Sequence, residues 1–230
     1  MKIYGFQKMT LLDFPGHVAA TVFTGGCNLR CPFCHNAALV TEIDPSSIYN
    51  PDDILAFLSK RTSLLDGVAI TGGEPLMQVD ICGFIKKIRE MGYKVKLDTN
   101  GSYPDKLNEI VEQRLVEYIA VDIKNSKEKY ALTTGIKNYD LGPFELSLDI
   151  LRNTDIEHEF RTTVVKELHT VEDIKKIGEW INGEKNYYLQ NFVDSGNLIG
   201  EGFSAVSRET LEKMKETATP YFQNVGIRGI

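Results

Sequence analysis

The sequence predicts an α/β fold in which parallel strands and crossover helices build a barrel or partial barrel of six strand–helix units. Three observations carry this expectation. Short apolar or β-branched runs alternate with amphipathic helical patterns along the chain. The stretches between successive strand-like runs are helix-length crossovers, as parallel strands need, and such connections are right-handed. A chain of 230 residues with six such units suits a barrel better than a small open sheet.

The elements follow in order. Residues 19–23 (AATVF) read as the first strand. Residues 52–60 read as a helix, because Asn50-Pro51 supplies a cap and a first-turn proline. Residues 67–71 (GVAIT) are the second strand. Residues 79–91 place Ile81, Ile85 and Ile88 on one helical face and stop at Gly92. Residues 94–98 (KVKLD) are the third strand, 105–116 a helix and 118–123 (YIAVDI) the fourth strand. A helix over 143–153 leads to 160–165 (FRTTVV), a fifth strand rich in β-branched residues. A helix over 171–181, a weaker sixth strand over 187–191 (YYLQN) and a helix over 207–217 close the series. The expectation is one domain over 1–230, with a lead-in at 1–18, a core at 19–192 and a C-terminal extension at 193–230.

Composition narrows the function. The chain is 42% hydrophobic and 25% charged, with a net charge of −6, ordinary for a soluble globular domain and unsuited to non-specific nucleic-acid binding. No apolar run approaches the roughly 20 residues of a membrane span. Residues 1–10 lack a signal pattern. The expectation is a cytoplasmic protein with neither nucleic acid nor membrane as partner. In that reducing compartment, clustered thiols point to metal or redox chemistry rather than disulfides.

Three of the four cysteines form such a cluster. Cys27, Cys31 and Cys34 make a Cys-x3-Cys-x2-Cys run, and Cys82 stands apart. Three thiolates can hold three corners of a cubic iron–sulfur cluster and leave one iron open. Other readings of the run exist. Cys31 to His35 spells a haem-attachment pattern, Cys31 and Cys34 could be a redox dithiol, and His35 could complete a zinc site with the three thiols. The first two leave Cys27 unused, and the third needs adjacent ligands. Cys82 lies among isoleucines of a helix and reads as a core residue. His17, His158 and His169 read as surface or loop residues, and Trp180, Tyr187 and Tyr188 as core aromatics.

Active groups of parallel α/β folds gather at the C-terminal ends of the strands. Gly25-Gly26-Cys27 follows the first strand and Gly72-Gly73-Glu74-Pro75 the second. Asp98-Thr99-Asn100-Gly101 ends the third, Asp122-Ile123-Lys124 the fourth, and Arg161 and Thr163 lie in the fifth. Each alone is compatible with a turn or a strand-end ion pair. Together they fall where a shared site would form.

The run from Gly26 through Cys27, Cys31, Pro32, Phe33 and Cys34 to His35 and Asn36 resembles the signature of radical S-adenosylmethionine (SAM) enzymes, and more narrowly that of glycyl-radical-enzyme activases. The resemblance implies a partial (β/α)6 barrel of the TIM type. It implies a 4Fe–4S cluster on Cys27, Cys31 and Cys34, with SAM chelating the open iron. Reductive cleavage of SAM would give a 5′-deoxyadenosyl radical that takes hydrogen from a glycine of a partner enzyme.

The strand-end groups acquire roles by the same resemblance. Gly72, Gly73, Glu74 and Pro75 look like the GGEP motif, whose backbone and glutamate contact the SAM amino group. Asp98, Thr99 and Asp122 match positions of pyruvate formate-lyase activase, where the two aspartates help bind a monovalent cation beside SAM, and Asn100 falls in the same Asp-Thr-Asn-Gly pattern as a cofactor-binding residue. Lys124 and Arg161 would lie near SAM as catalytic groups, and His35 and Asn36 around the cluster sulfurs. Asp13-Phe14-Pro15-Gly16 reads as a Pro-Gly turn before the first strand and also resembles an activase segment near the barrel mouth.

The resemblance is densest from Gly5 to Asn36, where it looks like the activating proteins of anaerobic ribonucleoside-triphosphate reductase. Leu189-Gln190-Asn191-Phe192 lacks a histidine found in the formate-lyase activases. No cysteine-rich insert separates Cys34 from Gly72, so a single cluster is expected. The implied partners are that reductase and a reduced flavodoxin or ferredoxin as electron donor. The alternatives are activation of another glycyl radical enzyme, modification of a peptide or small molecule, and a zinc-stabilised binding module.

Overall fold

The computed structural model describes residues 1–41 and 43–229; Glu42 and Ile230, which fall within the expected single domain, lie outside the described residues. In chain order the main elements are β1 (Ile3–Thr10), β2 (Ala19–Thr24), α1 (Pro51–Ser59), β3 (Gly67–Gly72), α2 (Ile81–Glu90), β4 (Lys94–Thr99), α3 (Pro104–Glu112) and β5 (Tyr118–Asp122). There follow α4 (Tyr130–Thr134), α5 (Gly142–Arg152), β6 (Glu157–Val164), α6 (Val171–Trp180), β7 (Asn186–Asn191), α7 (Arg208–Ala218) and β8 (Asn224–Arg228). The chain forms two compact units. One comprises Met1–Asn28, Ala38–Ala120 and Pro143–Glu157, the other Leu29–Ala37, Val121–Gly142 and His158–Ile230.

In the first unit β2, β3 and β4 pair in parallel, in register from Ala19 with Gly67 and Gly67 with Lys94. These strands are buried on both faces, with Ala19, Ala20, Val22, Val68, Ala69, Ile70, Val95 and Leu97 all withdrawn from solvent. Such continuous apolar runs are what helix-covered parallel strands require. The helices follow the expected signals. Asn50 caps α1 by accepting from the Asp52 N–H, and α2 buries Ile81, Ile85 and Ile88. The chain turns through 75–77 before α2 begins, so that helix starts two residues later than its apolar pattern suggested.

β1 was not foreseen as a strand. It runs antiparallel to β2, with Ile3 opposite Thr24 and Thr10 opposite Ala19. That register corrects a second expectation. The Asp13-Phe14-Pro15-Gly16 turn sits at the start of β2, at the opposite end from Cys27. Phe14 is buried there with Ala19 and Tyr118, and its ring lies where a Cβ on Gly67 would stand, at 2.8 Å. The segment closes the strand starts of this unit rather than bordering the site.

In the second unit β6, β7 and β8 pair in parallel. Thr170 and Asp173 form a reciprocal cap on α6, and Ser207 caps α7. β8 lies in the expected C-terminal extension and was also unforeseen. Gly226 at its centre makes it a poor strand by sequence. The structure supplies the reason for the glycine, since a Cβ there would stand 2.6 Å from the Tyr188 ring. Tyr118 to Ala120 of β5 belong to the first unit and its last two residues to the second. Beside its start Glu117 N donates to Val95 O at 2.9 Å, and beyond its end Ile123 N donates to Arg161 O at 2.9 Å. The α/β class with parallel strands is thus as expected, with two strands more than the six anticipated among the described residues. No helix among the described residues is long and apolar enough to cross a membrane.

Candidate functional site

In the first unit, the ends of β2, β3 and β4 are drawn together by the glycine pair. A Cβ on Gly73 would lie 2.0 Å from Gly26 O, and one on Gly72, whose φ is +118°, 2.3 Å from Thr24 N. That proximity lets Gly73 N donate to Thr24 O and Glu74 N to Gly26 O, each at 2.8 Å. Gln78 adds a bond from its amide to Gly25 O at 2.9 Å. The residue before Cys27 is therefore held against β3 by main chain alone. Gly73→Ala has no room, because the obstacle is backbone. We expect it to cost at least about 2 kcal/mol in chemical denaturation and to lower the iron retained after reconstitution.

Glu74 is fully buried. Its Oε1 accepts from Leu76 N at 3.0 Å and Thr99 Oγ1 at 2.7 Å, and its Oε2 accepts from Asn100 N at 2.7 Å. A buried carboxylate needs such donors to offset its lost hydration. These protein donors join the end of β3 to the end of β4. Asn100 is buried in turn. Its Oδ1 accepts from Ser102 N at 2.9 Å, and its Nδ2 lies 2.8 Å from Asn28 Oδ1 and 3.7 Å from Cys27 Sγ. Glu74, Thr99, Asn100 and Cys27 thus form one connected group.

Asp98 takes part in an ion pair with Lys96, which is only 2% exposed. The two residues stand on the same face of β4, two positions apart. Lys96 was missed by sequence reasoning, because a lysine alternating with valine and leucine reads as solvent-facing. The signal available was that it shares its face with Asp98.

In the second unit Asp122 binds both basic residues assigned to the site. Arg161 Nε donates to it at 2.6 Å and Lys124 Nζ at 2.9 Å. Burial alone would raise the Asp122 carboxyl, but the Arg161 and Lys124 charges overcome it and hold the group well below the usual carboxylate range. His169 lies in a loop, one of the two places expected for it, and is buried there. Its Nδ1 accepts from Val165 N at 3.1 Å, so the proton is on Nε2, which donates to Lys124 O at 2.8 Å. Burial lowers its pKa and favours this neutral form. His158 is likewise not a surface residue, since its Nε2 lies 3.2 Å from Glu184 Oε2.

The cysteine loop is anchored within this unit. Arg30 N donates to Thr134 O at 2.9 Å, and Gly135, with φ at +70°, leaves a Cβ position only 2.2 Å from Arg30 O. Gly200 N donates to Pro32 O at 2.7 Å. The His35 ring stacks on Phe192 at 5.4 Å, and Phe33 meets His169 edge-on at 6.4 Å. Burial pushes the Cys34 thiol up, while the Asn36 backbone and Lys124 act in the opposite direction. A second pair was invisible in the sequence: fully buried Glu159 accepts both arms of the Arg228 guanidinium, at 2.6 and 2.7 Å.

The donor chemistry fits a thiolate-bound cluster. Cys27, Cys31 and Cys34 are all outside disulfides, Cys31 is buried and the other two are half-buried. Amide donors accompany two of the sulfurs, from Asn100 at Cys27 and from the Asn36 backbone at Cys34. Among the described residues no three Cys, His, Asp or Glu side chains converge as around a single ion, so the fit rests on donor type. Cys82 is buried on α2, and burial together with Glu109 pushes its thiol up to about 11. It is a core thiol, as expected.

Comparison with known proteins gives this arrangement its class. The family model of the radical SAM superfamily matches residues 21–181, and the chain belongs to that superfamily. Across 99% of its length it is 29% identical to a Methanocaldococcus jannaschii protein, 96% of which is covered and which is provisionally named a glycyl-radical enzyme activating enzyme. It is 27% identical to the pyruvate formate-lyase-activating enzyme of Clostridium pasteurianum, over 80% of this chain and 78% of that one. Among solved structures, a radical SAM methyltransferase from Sphaerobacter thermophilus superposes with a TM-score of 0.76 at 12% identity, covering 96% of this chain and 68% of that one. The structural match bears on the fold alone.

Proposed function

We propose that this protein activates a glycyl radical enzyme, and that its partner is an anaerobic ribonucleoside-triphosphate reductase. The observation that carries the reading is the near full-length similarity to an activating enzyme in a chain whose Cys27, Cys31 and Cys34 all stand outside disulfides. In this reading the three thiolates hold a 4Fe–4S cluster, and reduced flavodoxin or ferredoxin supplies its electron. When bound, the cluster and SAM supply reductive cleavage of the sulfonium and a carbon radical able to take hydrogen from a glycine.

The chain's own residues bind and orient. Gly72 and Gly73 let main chain approach the SAM amino group, with Pro75 fixing the turn that follows. Glu74 keeps Thr99 and Asn100 in place. Asp122 aligns the cationic heads of Arg161 and Lys124 for the SAM carboxylate. His35 and Asn36 border the cluster, with His35 steadied by Phe192. A monovalent cation beside Asp98 and Asp122 would balance their charge, but Lys96 at the first and Arg161 with Lys124 at the second already supply positive charge there. We assign that balance to the protein.

The choice of reductase over formate-lyase is supported by the Gly5 to Asn36 resemblance and by the absence of histidine from Leu189 to Phe192. A formate-lyase partner is the second reading, favoured by the named relatives of that kind. Anaerobic mixing with each candidate partner, an electron donor and SAM decides by paramagnetic resonance. A glycine-centred doublet is expected with the reductase. A doublet with formate-lyase alone selects the second reading. No doublet with either, while 5′-deoxyadenosine accumulates, contradicts both.

A further inference from the structure

We infer that Asn100 donates a hydrogen bond to the Cys27 sulfur and thereby raises the reduction potential of the cluster that Cys27 helps to hold. The inference rests on the function proposed above and adds a tuning residue to it. Asn-Gly at the end of β4 looks like a simple turn, and a turn would need only one bond, from Ser102 N to Asn100 Oδ1 at 2.9 Å. That bond does more than shape the loop. It commits Oδ1 as the acceptor, so the two protons of Nδ2 point the other way.

Both protons have destinations. Asn28 Oδ1 lies 2.8 Å from Nδ2 and Cys27 Sγ lies 3.7 Å from it. The donor is not free to turn elsewhere. Asn100 is 5% exposed, and its own N–H is tied to Glu74 Oε2 at 2.7 Å. In the thiol form Cys27 can itself donate toward Asn28 Oδ1, at 3.9 Å. Bound to iron it is a thiolate and only accepts, so the Asn100 N–H faces an anionic sulfur and the bond becomes charge-assisted. Hydrogen bonds to cluster sulfurs are a principal lever on reduction potential. Added electron density on reduction strengthens this bond, so the reduced cluster gains more from it than the oxidised one. β4 thereby sets a property of the loop that follows β2, 73 residues earlier.

The test uses the full chain, reconstituted anaerobically with iron and sulfide, as wild type, Asn100→Ala and Asn100→Asp. The aspartate keeps the shape and the acceptor for Ser102 N and removes the donor; its charge lowers the midpoint on its own, so if the alanine variant loses iron the exchangeable-proton spectrum of the aspartate carries the measurement. Titration of the reduced-cluster resonance against potential should give a more negative midpoint in the variants. The expected change is about tenfold in the reduction equilibrium, or about 59 mV for one electron. Double-resonance spectra in light and heavy water should lose one exchangeable proton coupled to the reduced cluster, which a merely structural role would not remove. Loaded variants with the wild-type midpoint and the same exchangeable proton would overturn the role of Asn100 and leave the proposed function standing. A wild-type chain that takes up no cluster would overturn both.

Discussion

Cys31→Ala should give a folded, colourless protein that makes no 5′-deoxyadenosine from SAM. Cys31 is buried at 7% exposure, and losing one sulfur atom from that position costs little packing. In the proposed function it removes one of the three thiolates that hold the cluster with one iron open. Iron should fall from about four per chain to near zero. SAM cleavage under dithionite should fall at least about a hundredfold, the effect of losing the cofactor that carries the chemistry. Cys82→Ala is the control. Its thiol is a core group of α2, so iron content and cleavage should match wild type while thermal stability drops slightly. Iron and sulfide analysis with chromatography of the nucleoside checks both. A Cys31→Ala protein retaining four irons would remove Cys31 from the ligand set.

Glu74→Ala should be the most destabilising of the site substitutions. It leaves Leu76 N, Thr99 Oγ1 and Asn100 N without their acceptor in a fully buried place. Unpaired buried donors cost about 1–3 kcal/mol each, so a loss of about 3 kcal/mol is expected, or about 6–12 °C in Tm for a domain of this size. Glu74→Gln is more informative. It preserves volume but turns an amide NH2 toward protein donors, so the apo protein should also lose stability, by about half as much. If Glu74 served only as a SAM contact, the glutamine variant would weaken SAM binding and leave the ligand-free Tm unchanged. Differential scanning calorimetry with and without SAM separates the two roles.

These expectations mark how far the sequence could be read. The cysteine loop was legible because its spacing has few structural uses and needs no tertiary information, whereas the glycine pair, which alone reads as a turn, was legible only in company with it. The parallel strands were legible because continuous apolar runs such as GVAIT and YIAVD match burial on both faces. β1 escaped because Gln7 to Met9 are exposed and polar or flexible, which blurs the alternation. β8 escaped because Gly226 answers a distant tyrosine. Roles that depend on partners far along the chain were out of reach. His169 is a loop histidine, but its burial against Val165 N and Lys124 O could not be read. The inward turn of Glu74 and the place of Asp13 to Gly16 at the far end of β2 belong to the same category. Lys96 is a local case: the face it shares with Asp98 was visible in the sequence, but its burial was not. A motif names which residues matter, but register and burial decide what each one touches.

In the proposed function the loop from Cys27 to Cys34 holds a cluster that cleaves SAM reductively. The most direct measurement needs no partner protein. The chain is reconstituted anaerobically, reduced with dithionite and given SAM, and iron, methionine and 5′-deoxyadenosine are quantified beside Cys31→Ala. About four irons per chain and equal amounts of the two products are expected, with both products absent from the variant. A colourless protein holding one zinc, or an iron-loaded protein making no more 5′-deoxyadenosine than Cys31→Ala, would contradict this reading.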